Sequence, residues 1–258
     1  MKKTIQLGIS ALSILLLATA CLEDVAAPSR GQGSLNLEVG VDHEMVSALK
    51  APQSRAGETD GITPEELDLV LTKKDGSFKR TYTAGNWFSV TDKFTTGDYT
   101  LEAVYGDSNE EGFGCPHFHG TTELTVRDSD EPSTVSLTAT PADALLKIVY
   151  GDKFTGYMTD WGAEVETALG TRISYSSDET READIMPGQA KVNVSFTKPN
   201  GNKAKMPVAT YTLEAGHRYL LTIDMDEDAG SAEFISISLD DNMETEPIEV
   251  NISDAIFN

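Results

Sequence analysis

Cysteine is nearly missing from this chain: two in 258 residues, Cys21 and Cys115. With one of them otherwise engaged, no internal disulfide can form, so the fold must be held by core packing alone. Basic residues are also scarce. Twenty Lys and Arg stand against 42 Asp and Glu, a net charge of −22. Such a balance argues against nucleic acid and against docking on anionic lipid by charge. Histidine occurs four times, and only His43 and His217 lie outside the stretch 115–120. There is no G-x-S-x-G, no P-loop and no paired-glycine phosphate cradle. His43-Glu44 lacks the second histidine four residues on that a zincin helix needs. A nucleophile, a base and oxyanion donors cannot be assembled from any local motif, so no enzyme and no cofactor are expected. Long apolar runs are confined to Leu7–Ala18, too short and wrongly flanked for a membrane span.

That one apolar run follows Lys2-Lys3 and ends in Leu17-Ala18-Thr19-Ala20-Cys21. Small residues before a cysteine resemble a bacterial lipoprotein signal, with residues 1–20 removed and Cys21 acylated. Several acyl chains on one residue bury enough methylene groups for lasting attachment. The chain left after cleavage has lost Lys2 and Lys3, and its charge is 18 − 42 = −24. Residues 21–33, with Pro28, Ser29, Gly31 and Gly33, read as a tether. Glu23-Asp24 resembles the acidic export signal that sends Bacteroidetes lipoproteins to the outer face. The expected location is therefore the outer membrane, lipid-anchored through Cys21 and exposed at the surface.

What is abundant is alternation. With 39% hydrophobic residues set out in short period-two runs, the chain reads as all-β. Leu35, Leu37, Val39 and Val41 share one face of a first strand. Asp42–Ile62 keeps no period and carries an exposed basic site at Arg55. Thr63-Pro64-Glu65-Glu66 could start a helix through a capping box, but Leu67, Leu69 and Leu71 alternate into Asp75-Gly76, a hairpin signal. Strand, turn, strand is the reading over 66–83. Trp87–Val90 reads as a further strand. Thr134–Thr140, Leu145–Tyr150, Ala232–Leu239 and Ile248–Ile252 read as later ones, and Met158–Leu169 as one short helix. Thr197–Gly201 answers Thr72–Gly76, and Tyr219-Leu220-Leu221 answers Tyr99-Thr100-Leu101. Two tandem β-sandwiches of Ig-like or transthyretin-like type follow, at 34–141 and 142–258, each of about 110 residues and able to bury its own core.

The chain is organised around Gly97–Val126. Tyr99, Leu101, Ala103 and Tyr105 form one strand face and Thr122, Leu124 and Val126 another. Between them lies a long loop of small, acidic and aromatic residues, the kind of insertion a rigid scaffold presents for function. Cys115, His117 and His119 are spaced two apart, and a thiolate with two imidazoles could hold zinc or copper given a fourth ligand such as Asp107 or Glu111. Local packing of the same residues is the plainer alternative. Asp224, Asp226 and Asp228 look like the opening of a calcium loop, but the sixth and twelfth positions hold Ala229 and Ile235, so an acidic hairpin tip is preferred. Trp87, Phe113, Phe118, Tyr157 and Trp161 are candidate exposed aromatics. Phe113 and Phe118, amid glycines and charges, are the strongest, with His117 and His119 beside them as ligand-binding candidates.

Gly97, Tyr99, Leu101, Gly106, Asp107, Gly112, Phe113, Pro116, Phe118 and Gly120 together resemble a family of Bacteroidales cell-surface lipoproteins built on a domain of unknown function. The resemblance implies a surface-anchored sandwich without known catalysis; the two histidines are not part of its pattern. A looser likeness is to fimbrillin-type pilins. There, a protease cuts after an arginine in an early loop, the first strand leaves, and a neighbour's strand fills the groove. Here that implies cleavage at Arg55, loss of Leu35–Val41 and donation of Ile248–Phe257. The leading expectation is a non-enzymatic adhesion or fimbria-type component whose partners are pilus subunits. The alternative is a module that captures a host or bacterial surface glycan or protein through 107–120. A metal-binding role through Cys115, His117 and His119 is third.

Overall fold

Period-two burial sets the architecture. In the computed structural model, which describes residues 31–43, 46–47, 61–225, 234–240 and 248–251, the first half forms β1 (Gln32–Gly33), β2 (Leu35–Val41), β3 (Val46–Ser47), β4 (Asp68–Lys73), β5 (Lys79–Tyr82), β6 (Phe94–Thr95), β7 (Gly97–Tyr105), β8 (Phe118–Val126) and β9 (Ser133–Pro141). Strands β5, β4, β7 and β8 make one antiparallel layer. Strand β9 meets β8 only at Phe118↔Pro141 and His119↔Thr140. It then turns away to pair in parallel with β2 over Leu35–Val41. The layers share a core that includes Leu35, Leu69, Leu71, Tyr99, Leu101, Phe118 and Leu137. The parting of β8 from β9 needs Gly120, where a Cβ would lie 2.4 Å from the Thr138 carbonyl oxygen. The stretch read as a tether is already engaged at its end, since β1 pairs with β6.

The second half forms β10 (Ala144–Tyr150), α1 (Asp152–Tyr157), β11 (Thr159–Glu166), β12 (Arg172–Tyr175), β13 (Ala183–Ile185), β14 (Gly188–Thr197), β15 (Lys203–Lys205), β16 (Ala209–Leu213), β17 (His217–Met225), β18 (Phe234–Asp240) and β19 (Ile248–Asn251). One sheet runs β13-β10-β17-β18-β19, with β10 and β17 parallel at its centre. The other runs β12-β11-β14-β15, with β16 also on β14. Leu146, Ile148, Val165, Tyr175, Val192, Val194 and Leu221 lie between them in a second core. The chain is thus two β-sandwiches. Strand β3, from the early part of the chain, pairs in parallel with β17 at His217–Arg218.

Three readings of local structure resolve differently from expectation. Met158–Leu169 is not a helix: Thr159–Glu166 is β11, with Ala163 and Val165 buried in alternation, and the helix precedes it. Trp87–Val90 is not a strand. The Asp92 carboxylate accepts the Ser89 N–H at 2.6 Å and the Asn86 N–H bonds back to the Thr83 carbonyl at 2.9 Å, so local turns take the place of a ladder. At 63–71 both alternatives are used in succession. Glu66 caps the Thr63 N–H at 2.8 Å over a single 3-10 turn, Pro64–Glu66, and β4 starts at Asp68. The two Asx-Gly turns do match. Gly76 and Gly201 take φ of 75° and 85°. Asp75 and Asn200 each accept the N–H two residues on, at 2.9 and 3.0 Å.

Candidate functional site

The loop 107–120 leaves β7 and returns as β8, and its two legs are drawn together at Gly106, where φ is 77° and a Cβ would sit 2.2 Å from the Pro116 carbonyl oxygen. At its tip the Asp107 carboxylate accepts the backbone and side-chain N–H groups of Asn109 at 2.9 and 2.8 Å. Beyond the tip the loop lies on the second sandwich. Gly112 and Asp184 exchange backbone hydrogen bonds of 2.9 and 2.8 Å. The Glu111 carboxylate accepts the Met186 N–H at 2.9 Å and the Thr167 hydroxyl at 2.5 Å. The Phe113 ring meets Tyr175 edge-on at 5.1 Å and carries the Arg181 guanidinium 4.5 Å above its face. The Cys115 N–H donates to Asp184 at 3.0 Å and the His117 N–H to Asp143 at 2.9 Å. The Ala142 N–H returns to the His117 carbonyl at 2.9 Å.

The electrostatics of this seam are set by burial. Asp143 and Asp184 are 2% and 4% exposed. Burial pushes the Asp143 carboxyl up to about 7, and the negative charge of Asp184 adds to the shift. The Cys115 thiol is raised by burial and then by Asp184 and Glu110, so it keeps its proton near neutrality. The His117 ring is pushed down by burial and then by His119. Asp107, at the open tip, is held below the usual carboxylate range by its bonds to Asn109.

Each residue singled out from the sequence has a definite place. Phe118 is not an exposed ring. It is 1% exposed, opens β8 in the first core, and meets His43 and Tyr105 edge-on at 5.5 and 6.5 Å. Phe113 is half-buried and packs against the second core. His117 is buried, and His119 is half-buried opposite Thr140 in β9. Trp87 is half-buried and donates its Nε1–H to the Leu67 carbonyl at 2.9 Å; Trp161 packs on Tyr150 and Phe154; Tyr157 is exposed. No group of three His, Cys, Asp or Glu among the described residues is placed to hold a metal, Cys115, His117 and His119 included. The Asp224 carboxylate caps α1 instead, accepting the Phe154 N–H at 3.1 Å beneath Gly151, where no Cβ would fit. Asp226, Asp228, Cys21 and Arg55 lie outside the described residues.

Sequence reasoning missed Asp143, Asp184 and Arg181, and considered Glu111 only as a metal ligand, not as an acceptor for Met186 and Thr167. One signal was available: Asp184 interrupts the apolar triplet of β13, and a carboxylate there demands a partner.

Among solved structures the chain is similar to a fimbrial assembly protein from Parabacteroides distasonis, at 8% identity over 84% of this chain and 99% of that one, with a TM-score of 0.48. It is similar to a candidate cell adhesion protein from Bacteroides ovatus, at 12% identity over 83% and 100%, with a TM-score of 0.42. A third is a candidate polysaccharide binding protein from Bacteroides thetaiotaomicron, at 10% identity over 81% and 99%, with a TM-score of 0.39. No curated protein matches. A family match covers residues 31–254 and takes in the whole of the 97–126 signature, and on that extent the chain belongs to the family described as Domain of unknown function (DUF4493).

Proposed function

We infer that the protein is a non-enzymatic surface lipoprotein, moored to the outer membrane through Cys21, that acts as an adhesion or fimbria-type structural component assembled by strand exchange. The observation that carries this reading is the position of β2. It ends its sheet, its sole strand partner among the described residues is β9, and the pairing is parallel. Parallel pairing ties β2 to no hairpin neighbour, so its loss would leave the rest of the first sandwich connected. What would be uncovered is one backbone edge of β9 and the core face that Leu35, Leu37, Val39 and Val41 cover. Toward the other end of the chain β19 also ends its sheet, paired among the described residues only with β18. An acceptor edge at one end and a strand-forming segment at the other make a heterologous contact, which propagates as a filament. Cleavage at Arg55 is the step that would release β2. The loop 107–120 gives the glycan- or protein-binding alternative little: its rings are taken up within the chain, leaving the acidic tip around Asp107.

Limited trypsin digestion followed by a non-reducing, unheated gel tests the reading. A cut at Arg55 that yields a ladder of oligomers, abolished by Arg55→Ala, is the expected result. A chain that is clipped there and stays monomeric, with β2 still bound, would overturn strand exchange. Loss of labelled fatty acid in Cys21→Ala tests the mooring separately.

A further inference from the structure

The corner at Gly120 leaves a gap in the side of the first sandwich. Beyond Phe118↔Pro141 and His119↔Thr140, β8 and β9 run apart and do not pair again. Each keeps a partner on its far side, β7 for β8 and β2 for β9. The edges that face each other, 121–126 on β8 and 133–138 on β9, have no strand partner among the described residues. A cleft of about 580 Å³ lies there, lined by 122–125 and Arg127 from one strand, by 133–136 from the other, and by Lys74 and Asp98.

Three of the strands that end a sheet are guarded. The outer strand β5 carries the exposed Lys79 and Arg80, β15 carries Lys203 and Lys205, and β12 carries Arg172. Charged side chains on an edge deter a further strand. The fork between β8 and β9 is composed differently. Its edges read T-T-E-L-T-V and S-T-V-S-L-T, without lysine or proline. Their single charge, Glu123, is already paired with Lys74 at 2.8 Å. Threonine and valine favour a strand, and the unpaired N–H and C=O groups of both edges are a ladder broken off early.

The lining indicates what completes that ladder. Val135 is 6% exposed and Leu124 packs against the first core, so the cleft has an apolar floor. No aromatic ring lines it, which leaves a flat ligand nothing to stack on. Of its charges, Lys74 is engaged with Glu123, and Asp98 accepts the Thr125 hydroxyl at 2.7 Å. Arg127 is exposed and enters no ion pair among the described residues. An extended segment meets these conditions together. Its backbone continues the ladder, its alternate side chains reach Leu124 and Val135, and a carboxylate on it faces Arg127. A sheet edge from a second copy fits less well. It would bring neighbouring strands into a space walled on both sides, and it would bring a net charge of the same sign.

We propose that the fork between β8 and β9 is an acceptor for a short extended segment of another protein, with apolar β-branched residues at alternate positions and an acidic residue against Arg127. The site uses the edge of β9 that β2 does not cover. It therefore needs neither cleavage at Arg55 nor loss of β2, and its success or failure is separate from that of strand exchange.

The test is selection from a synthetic library of short, random, end-blocked peptides on the full, uncut chain. The counter-target is the double variant Thr122→Lys, Thr134→Lys, which guards the fork as β5 and β15 are guarded, with circular dichroism to show that it folds. Peptides rich in valine, isoleucine and threonine, each with an acidic residue, should be retained by the wild type and not by the double variant. Bound peptide should slow amide exchange at 121–126 and 133–138 and leave core amides such as Val192 unchanged. Arg127→Gln should weaken binding roughly two- to fivefold, the effect of one exposed charge pair. That difference should shrink at about 0.5 M salt. A library that yields nothing over the double variant would overturn the proposal, as would peptides that protect amides elsewhere. Self-association of the uncut chain without peptide, abolished by the two lysines, would overturn it in favour of a second copy. Should the double variant fail to fold, Arg127→Gln and the exchange map decide. Slowed exchange on the fork edges with weaker binding supports the site, and equal binding or protection elsewhere rejects it.

Discussion

A single carbonyl oxygen decides what residue 120 can be. The Thr138 oxygen stands 2.4 Å from where a Cβ would go, and Thr138 C and Ala139 Cα follow at 2.9 and 3.0 Å. All three are backbone atoms on the strand that β8 is leaving, so nothing flexible can give way. Gly40, on β2, offers the contrast: its nearest neighbour is the Thr138 hydroxyl at 3.7 Å, and its φ is not in the left-handed region. Gly120→Ala should cost at least about 2 kcal/mol in urea unfolding, because either the sheet corner must open or the core must shift. Gly40→Ala should be neutral or stabilising by up to about 1 kcal/mol, since alanine loses less backbone entropy on folding. Equal effects at the two sites would mean that the corner is not rigid. Buried polar groups obey the same strictness. Asp224 has the spacing of a calcium-loop opening and reads from sequence as part of an acidic hairpin tip, yet its carboxylate has a backbone N–H of α1 to accept. Spacing along a strand could not reveal that, because the helix it caps begins 72 residues earlier.

At the scale of elements, β2 is where sequence and function meet most directly. Leu35 is fully buried and Leu37, Val39 and Val41 are partly so, all on one face. Burying such a row contributes on the order of several kcal/mol, enough to hold a short strand without covalent attachment. A chain beginning at Ala56 should therefore self-associate, and an added peptide spanning 31–43 should return it to a monomer, read by light scattering. The same peptide with Leu35→Asp and Leu37→Asp should fail, because a charge cannot enter that slot unpaired. If both peptides restore the monomer, edge pairing rather than the apolar slot controls assembly. Strands such as β2, β4, β7 and β9 were legible in the sequence because alternation survives whatever the partner is. The short helix was misplaced because Met158–Leu169 mixes periods, while α1 depends on a cap supplied from β17. The 107–120 loop was legible as special but not as a clasp. Its partners lie 26 and 69 residues away, and nothing in the local pattern says which surface its amides will meet.

For the whole molecule, two electrostatic effects run in the same direction with pH and can be separated by salt. The first is self-repulsion. A net charge of −22 works against any compact state, and it relaxes as carboxylates take up protons. It acts between exposed groups and weakens when salt shortens the screening length. The second is Asp143, which is buried and little screened. Its folded value is raised above the unfolded 3.8 to about 7, so its stabilising contribution is complete below 3.8 and lost as pH rises through about 7. Exposed carboxylates held down by their partners, Asp75 by Ser77 and Glu166 by Lys191, act oppositely: their small contribution is present above the ordinary carboxylate range and lost as pH falls below it. Stability should accordingly peak near pH 5. The melting temperature should fall by roughly 5–10 °C toward pH 8, as expected for a loss of a few kcal/mol in a chain of this size. In calorimetry at about 0.5 M salt the part due to net charge should shrink, and what remains should vanish in Asp143→Asn. If salt alone flattens the alkaline limb, net charge governs the pH response and the seam plays no part in it. If the variant flattens it at low salt as well, the join between the sandwiches is the weakest point of the folded chain above neutrality, and unfolding there begins by parting the two halves.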